Sequence, residues 1–379
     1  MNKDNKNIAI VIAVMLFAVA IVKLPIQLGQ GRAFLLGLFQ IGVLVVFFAV
    51  LWKVNRWVAL FLLLATVSRT VPTITYESQH ALRCVLYGLG WYYFIYVYAD
   101  KKRLTDVMCV IAFAHFMATF IQYFKIPSLF VGEVSGLTCN PNEGSALFAL
   151  CFPAFLVVGH KRYLPMVIAG LLMIGSLGGF LAVSIGVVFY ILLLRPRYII
   201  KIPYLKSWKY VSYHTINLSK YWILSPILPI ITCFLTFVHT PIMTDRWLVW
   251  TKSFEMYLTS WKWGCGLGHW ETISRELVKN NIHLAYTESG VWTRLHNTFL
   301  NALMEMGIGF AVVYFGYLIS LFRRYTKQAL IPFTALIVIL VCSSTNSMFR
   351  MNAVNAMLAI TWLAILQQQL MECSQIERT

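Results

Sequence analysis

Arg246, Arg294 and His296 are the residues whose types best fit chemistry on a charged substrate: two that can hold an anion and one that can take a proton from a hydroxyl. All three lie in a polar stretch, Val238 to Asn297, that runs between apolar segments and closes on Leu295-His296-Asn297-Thr298-Phe299-Leu300. Arginine stays charged in proteins, and its planar fork donates to two phosphate oxygens at once. Histidine titrates near neutral pH and is the commonest general base. Together at a membrane edge, such groups could hold an anionic substrate and move a proton. Each also has a plainer use: a boundary histidine can serve a structural hydrogen bond, an arginine can snorkel to headgroups, and Arg294 can neutralise Glu288.

Other residues extend this set. Arg69 and Arg83 fall at the ends of apolar runs with little polar company, where charge is costly and is paired or functional; Glu77 is close enough in sequence to pair with either. Asn297 follows the histidine, and Glu305 comes nine residues after it, inside the next apolar run. Gly136-Leu137-Thr138-Cys139-Asn140-Pro141-Asn142-Glu143 is a turn that offers backbone and amide donors, with Asn142 either at a substrate or simply capping the helix that follows. His115, alone within an apolar run, reads as packing. His239, His269 and His283 are too irregularly spaced for a zinc site, and no Ser-His-Asp set, P-loop or dinucleotide fingerprint occurs, so the reading requires neither metal nor cofactor.

The elements that must position these groups are membrane helices. With 59% hydrophobic and 12% charged residues in 379, the composition is that of an all-α polytopic integral membrane protein. Apolar runs near 8–25, 33–52, 57–68, 81–99, 106–124, 144–159, 164–177, 179–194, 222–238, 298–322, 329–342 and 353–370 predict about twelve transmembrane helices. Most of the 31 basic residues fall in alternate connections, among them Lys3, Lys6, Lys53, Lys101, Lys161, Arg195 and Arg323, which makes those connections and both termini cytoplasmic. The first run, preceded by Lys3 and Lys6 and followed by no small-residue cleavage site, reads as a retained anchor. This distribution also accounts for the net charge of +17 without a nucleic-acid partner, since basic turns next to a bilayer meet anionic headgroups. The chain is thus a single membrane domain, 1–379, with a small outer loop at 125–143 and a large one at 238–297.

Within the large loop, Trp247, Trp250, Phe254, Tyr257 and Trp261 recur at helical spacing from Thr244 to Trp261, which predicts an interfacial helix capped by Thr244 or Asp245 and lying along the outer membrane surface. Trp263-Gly264-Cys265-Gly266-Leu267-Gly268 follows, a run that permits tight turns or close approach to a ligand. The eight cysteines form no C-x-x-C pair; Cys139 and Cys265 share the oxidising side and could be bridged.

Arg246 with Trp250, the Gly-Cys-Gly-Leu-Gly run, His296-Asn297-x-Phe-Leu and Glu305-Met306-Gly307-Ile308-Gly309 are similar in order and spacing to the O-antigen ligase and polysaccharide polymerase superfamily. The Gly136 to Asn142 turn resembles that family as well, whereas Ser176-Leu177-Gly178-Gly179 departs from it where many members carry Ser-Arg. The resemblance implies an inner-membrane glycosyltransferase that moves a glycan from undecaprenyl diphosphate to an acceptor hydroxyl on the periplasmic side, where both outer loops would lie, without metal or nucleotide sugar. His296 would be its base, Arg246 its principal diphosphate clamp, and Arg294, Arg69, Arg83, Asn297 and Asn142 would bind substrate. A single dominant outer loop favours an O-antigen ligase acting on lipid A core in lipopolysaccharide biosynthesis over a polymerase acting on a second lipid-linked glycan. A flippase for lipid-linked sugars is the alternative of another class, though transporters place charge on broken helices at the midplane, whereas the ionisable residues here gather at the outer edge.

Overall fold

The computed structural model describes residues 44–68, 76–124, 134–138, 140–157, 160–194, 199–207, 210–217, 241–260, 262–279, 286–287, 290–291, 295–345 and 353–376. They are predominantly helical and fall into two compact units, Met1–Asp100 with His239–Tyr317, and Lys101–Val238 with Leu318–Thr379. The predicted runs at 8–25 and 222–238 lie outside the described residues, as do Arg69, Arg294 and Cys139.

The second unit is an up-and-down helical bundle. Its helices are α4 (Lys101–Tyr123), α5 (Pro141–Cys151, continued by a 3-10 turn to Leu156), α6 (Leu164–Ile174), α7 (Leu177–Leu194), α11 (Leu330–Thr345) and α12 (Ala353–Ile376). Side-chain contacts fix the alternation. At one end, Lys101 pairs with Glu372, His160 meets Asp106 at 2.9 Å, and the Cys373 thiol donates to Gln328. At the other, His115, Ser176 and Asn355 bond to the start of α5. The connections expected on opposite sides of a membrane therefore gather at opposite ends of this unit.

At the centre lies α5, buried at every position from Gly144 to Cys151. A helix enclosed on all sides has no use for a polar face, which is why this segment shows no amphipathic period. Phe148, Phe155, Ile339 and Trp362 fill the space around it, and the Trp362 indole donates to the Leu150 carbonyl at 2.8 Å. Outward-facing residues such as Val110, Phe113 and Leu172 are apolar too, as lipid contact demands.

The first unit contains α1 (Leu44–Val54), α2 (Arg56–Ser68), α3 (Tyr76–Tyr98), α8 (Pro241–Ser260), α9 (Trp270–Lys279) and the start of α10 (Thr298–Arg323). Asn55 caps α2, its side-chain oxygen accepting from Trp57 N–H at 3.0 Å. Among the described residues, three helices are long and apolar enough to cross a membrane, Lys101–Tyr123, Thr298–Arg323 and Ala353–Gln375, and shorter apolar helices accompany them. Twelve helices are described, but α8 and α9 belong to the large loop, so this is a different set from the twelve predicted spans. The segment after α7 carries an antiparallel hairpin of β1 (Ile199–Ser207) and β2 (Tyr210–Asn217), and a shorter one pairs Tyr286–Thr287 with Gly290–Val291.

Candidate functional site

The large loop is organised around α8. It begins at Pro241 rather than Thr244, because proline at a first helical position has its φ already set and gives up an amide with no intrahelical partner. Val249, Ser253 and Tyr257 are buried along one face, and Phe254 and Leu258 point outward at 45% and 53% exposure. The aromatic stripe expected from Trp247 to Trp261 is thus divided: Tyr257 is enclosed, and its hydroxyl pKa is raised by desolvation, while Phe254 stays on the surface.

Trp250 ties this helix to the histidine. Its indole N–H donates to the Leu295 carbonyl at 2.6 Å, and Leu295 is buried. His296 comes next, half-buried, with φ 47, alone among the described non-glycine residues in the left-handed region. Such a conformation costs on the order of 1 kcal/mol for a residue with a Cβ, and persists where the surroundings determine it. Here they do so from both sides, through the Trp250 bond before it and the helix cap after it. Asn297 is that cap: its side-chain oxygen accepts from Leu300 N–H at 3.0 Å, and its carbonyl from Asn301 N–H at 3.0 Å. Position 246 lies on α8 one turn before Trp250, on the same helix face.

Trp250→Phe removes the donor from Leu295. The buried carbonyl then loses about 1–3 kcal/mol, expected as a lower midpoint of thermal unfolding in detergent; an unchanged midpoint would mean that this bond does not hold the turn.

From Asn297 a buried polar stripe continues through Asn301 and Glu305 at steps of four. Glu305 is 2% exposed. Two residues later α10 breaks at Gly307, with φ 66 and ψ −160. The glycine hairpin closes the break: Cys265 N–H donates to the Met304 carbonyl at 2.8 Å and Gly266 N–H to that of Glu305 at 3.0 Å, while Ile308 N–H donates to the Lys262 carbonyl at 3.0 Å. The run read as a possible ligand loop is thereby occupied with its own chain. Cys265 within it is buried, and Cys139, its considered bridge partner, lies outside the described residues.

Arg83 is half-buried on α3, the helix that packs on α2. Asn142 belongs to the other unit. Asn140, not Asn142, caps α5, because Pro141 takes the first helical position and the cap must precede it. Asn142 instead builds the turn, donating its N–H to Asn140 Oδ1 at 2.8 Å and accepting from the Ser176 hydroxyl at 2.9 Å. His115 does more than pack. Its Nδ1 accepts from Leu137 N–H at 3.0 Å, which leaves Nε2 to donate to the Gly144 carbonyl at 3.0 Å and fixes the tautomer. Gly136, at φ 69, passes too close to that ring for a Cβ.

Sequence reasoning missed α9, whose buried Trp270 and Ser274 face inward and whose Thr272, Arg275 and Glu276 are exposed; the apolar period at 270, 273 and 277 was its signal. Comparison with protein-family models, curated proteins and solved structures returns no match.

Proposed function

We propose that the protein transfers an oligo- or polysaccharide from undecaprenyl diphosphate to an acceptor hydroxyl at the periplasmic face of the inner membrane, as an O-antigen ligase whose acceptor is lipid A core. What supports this reading is the Trp250 bond to Leu295, which keeps the helix that carries Arg246 against the turn that carries His296. In the reaction the imidazole takes the acceptor proton and the acceptor oxygen bonds to the anomeric carbon. The bond from that carbon to the phosphate oxygen breaks, and undecaprenyl diphosphate leaves with the electron pair. Arg246, with Arg294, Arg69 and Arg83, offsets the charge that appears on it.

Transport would draw on the broken α10 and its buried Glu305, features that transporters use to bind ions. Here the Met304 and Glu305 carbonyls and the Ile308 amide at the break are already bonded to the hairpin. Transfer therefore remains the better reading.

The test is to incubate purified protein with undecaprenyl-diphosphate oligosaccharide, with lipid A core or without a second acceptor. Core-linked product is expected; lengthened carrier-linked glycan would instead mark a polymerase, and neither product would end the proposal. Arg246→Ala is expected to lower core transfer by about 10²–10³-fold, the usual loss for one preorganised donor to developing charge. Arg246→Lys should recover part of it, since charge returns without the two-pronged geometry.

A further inference from the structure

We infer that the hairpin from Lys262 to Gly268 seats the protein in a phospholipid headgroup layer, with the hydrocarbon boundary crossing α10 at Gly307 and α2 at its Ser68 end. The inference concerns membrane placement and does not depend on the transfer chemistry.

α10 changes character at its break. Before Gly307 it carries the buried polar stripe of Asn297, Asn301 and Glu305; after it, Ile308 and Val312 point outward at 45% and 61% exposure. Outward apolar side chains on a spanning helix meet lipid, whereas ionisable groups such as that of Glu305 are rare at membrane depth even on a helix's inward face. The change from one to the other marks where the bilayer begins.

α2 gives an independent level. Its outward residues Leu63 and Val67 are apolar, at 47% and 55% exposure, close to Ser68, the last described residue of the helix. Leu64 lies against Gly309 and Trp57 against Gly316, so the two helices run antiparallel and seven residues along one match seven along the other. Ser68 therefore lies within about one turn of Gly307 along the shared axis.

The hairpin bonds to both helices at this level. Besides its contacts at the break, Leu267 N–H donates to the Ser68 carbonyl at 3.1 Å. Gly264 and Gly307 approach so closely that a Cβ on either would overlap the opposing backbone. From this fixed base Trp263 projects at 83% exposure beside an exposed Lys262. An indole settles among lipid carbonyls and glycerol, and an ammonium on a flexible stem reaches the phosphate. That pairing fits a phospholipid headgroup.

The test places a photo-crosslinking benzoylphenylalanine at 263, 272 or 312 of the full chain in native membranes. At 83% exposure the side chain at 263 can be exchanged without touching the fold. Irradiation is expected to give phospholipid adducts at 263 and 312 alike and none at 272, which is exposed on the polar face of α9. Position 263 behaving like 272, or capturing glycan in place of phospholipid, would overturn the inference.

Discussion

His296→Ala is expected to lower glycan transfer by about 10²–10⁴-fold, the contribution of a positioned general base, while the protein still inserts into membranes. Two effects would be mixed in that variant. Alanine loses the imidazole, and it must also hold the left-handed backbone, φ 47, that His296 adopts. His296→Asn separates them. Asparagine enters the left-handed region more readily than most residues, so it should keep the turn between Leu295 and the Asn297 cap, yet its amide cannot accept a proton at neutral pH. Both variants are expected to lose transfer, with the thermal midpoint of the asparagine form near that of the parent. Full transfer by His296→Asn would remove the imidazole from the mechanism and leave the turn as the feature that matters.

The largest structural effect is expected from Gly307→Ala. At φ 66 and ψ −160 the residue occupies a region open essentially to glycine alone. A Cβ there would come within 2.6 Å of Gly264 N and Trp263 O, atoms of the hairpin backbone that cannot rotate away. Strain and overlap together are expected to cost about 3 kcal/mol or more. Straightening the helix offers no escape, because the hairpin amides of Cys265 and Gly266 would lose the carbonyls they bond. The expected outcome is a large fall in folded protein recovered from membranes, read by size-exclusion in detergent. An undiminished, monodisperse yield would show that the break is dispensable.

The apolar runs at 81–99, 106–124 and 298–322 reappear as α3, α4 and α10 within a few residues, because long apolar segments are set by composition more than by context. The interior of the large loop was harder to read. Near a membrane an aromatic residue can face lipid or protein, so the spacing of Phe254 and Tyr257 fixed a helix but could not say that one is outward and the other enclosed. Asn297 had a legible role: an asparagine ahead of an apolar run is a cap signal, and its side chain serves Leu300 N–H. The break at Gly307 was not expected within the apolar run at 298–322, and its partner, the hairpin some forty positions earlier, could not be identified without tertiary contacts. The local sequence does not reveal the left-handed turn at His296, because one of its two supports is the Trp250 bond from another helix. Arg246 retains its predicted helix, with its start moved to Pro241.

The central helix α5 has consequences for how the protein is made. Its Glu143 and Leu150 carbonyls receive the Asn355 amide at 2.9 Å and the Trp362 indole at 2.8 Å, donors that each lie 212 residues further along the chain. While the ribosome is still producing that interval, α5 has left it without either tether. The tightest part of the bundle therefore cannot close until synthesis is well advanced, and its earlier helices must wait, loosely associated, for an element that arrives late.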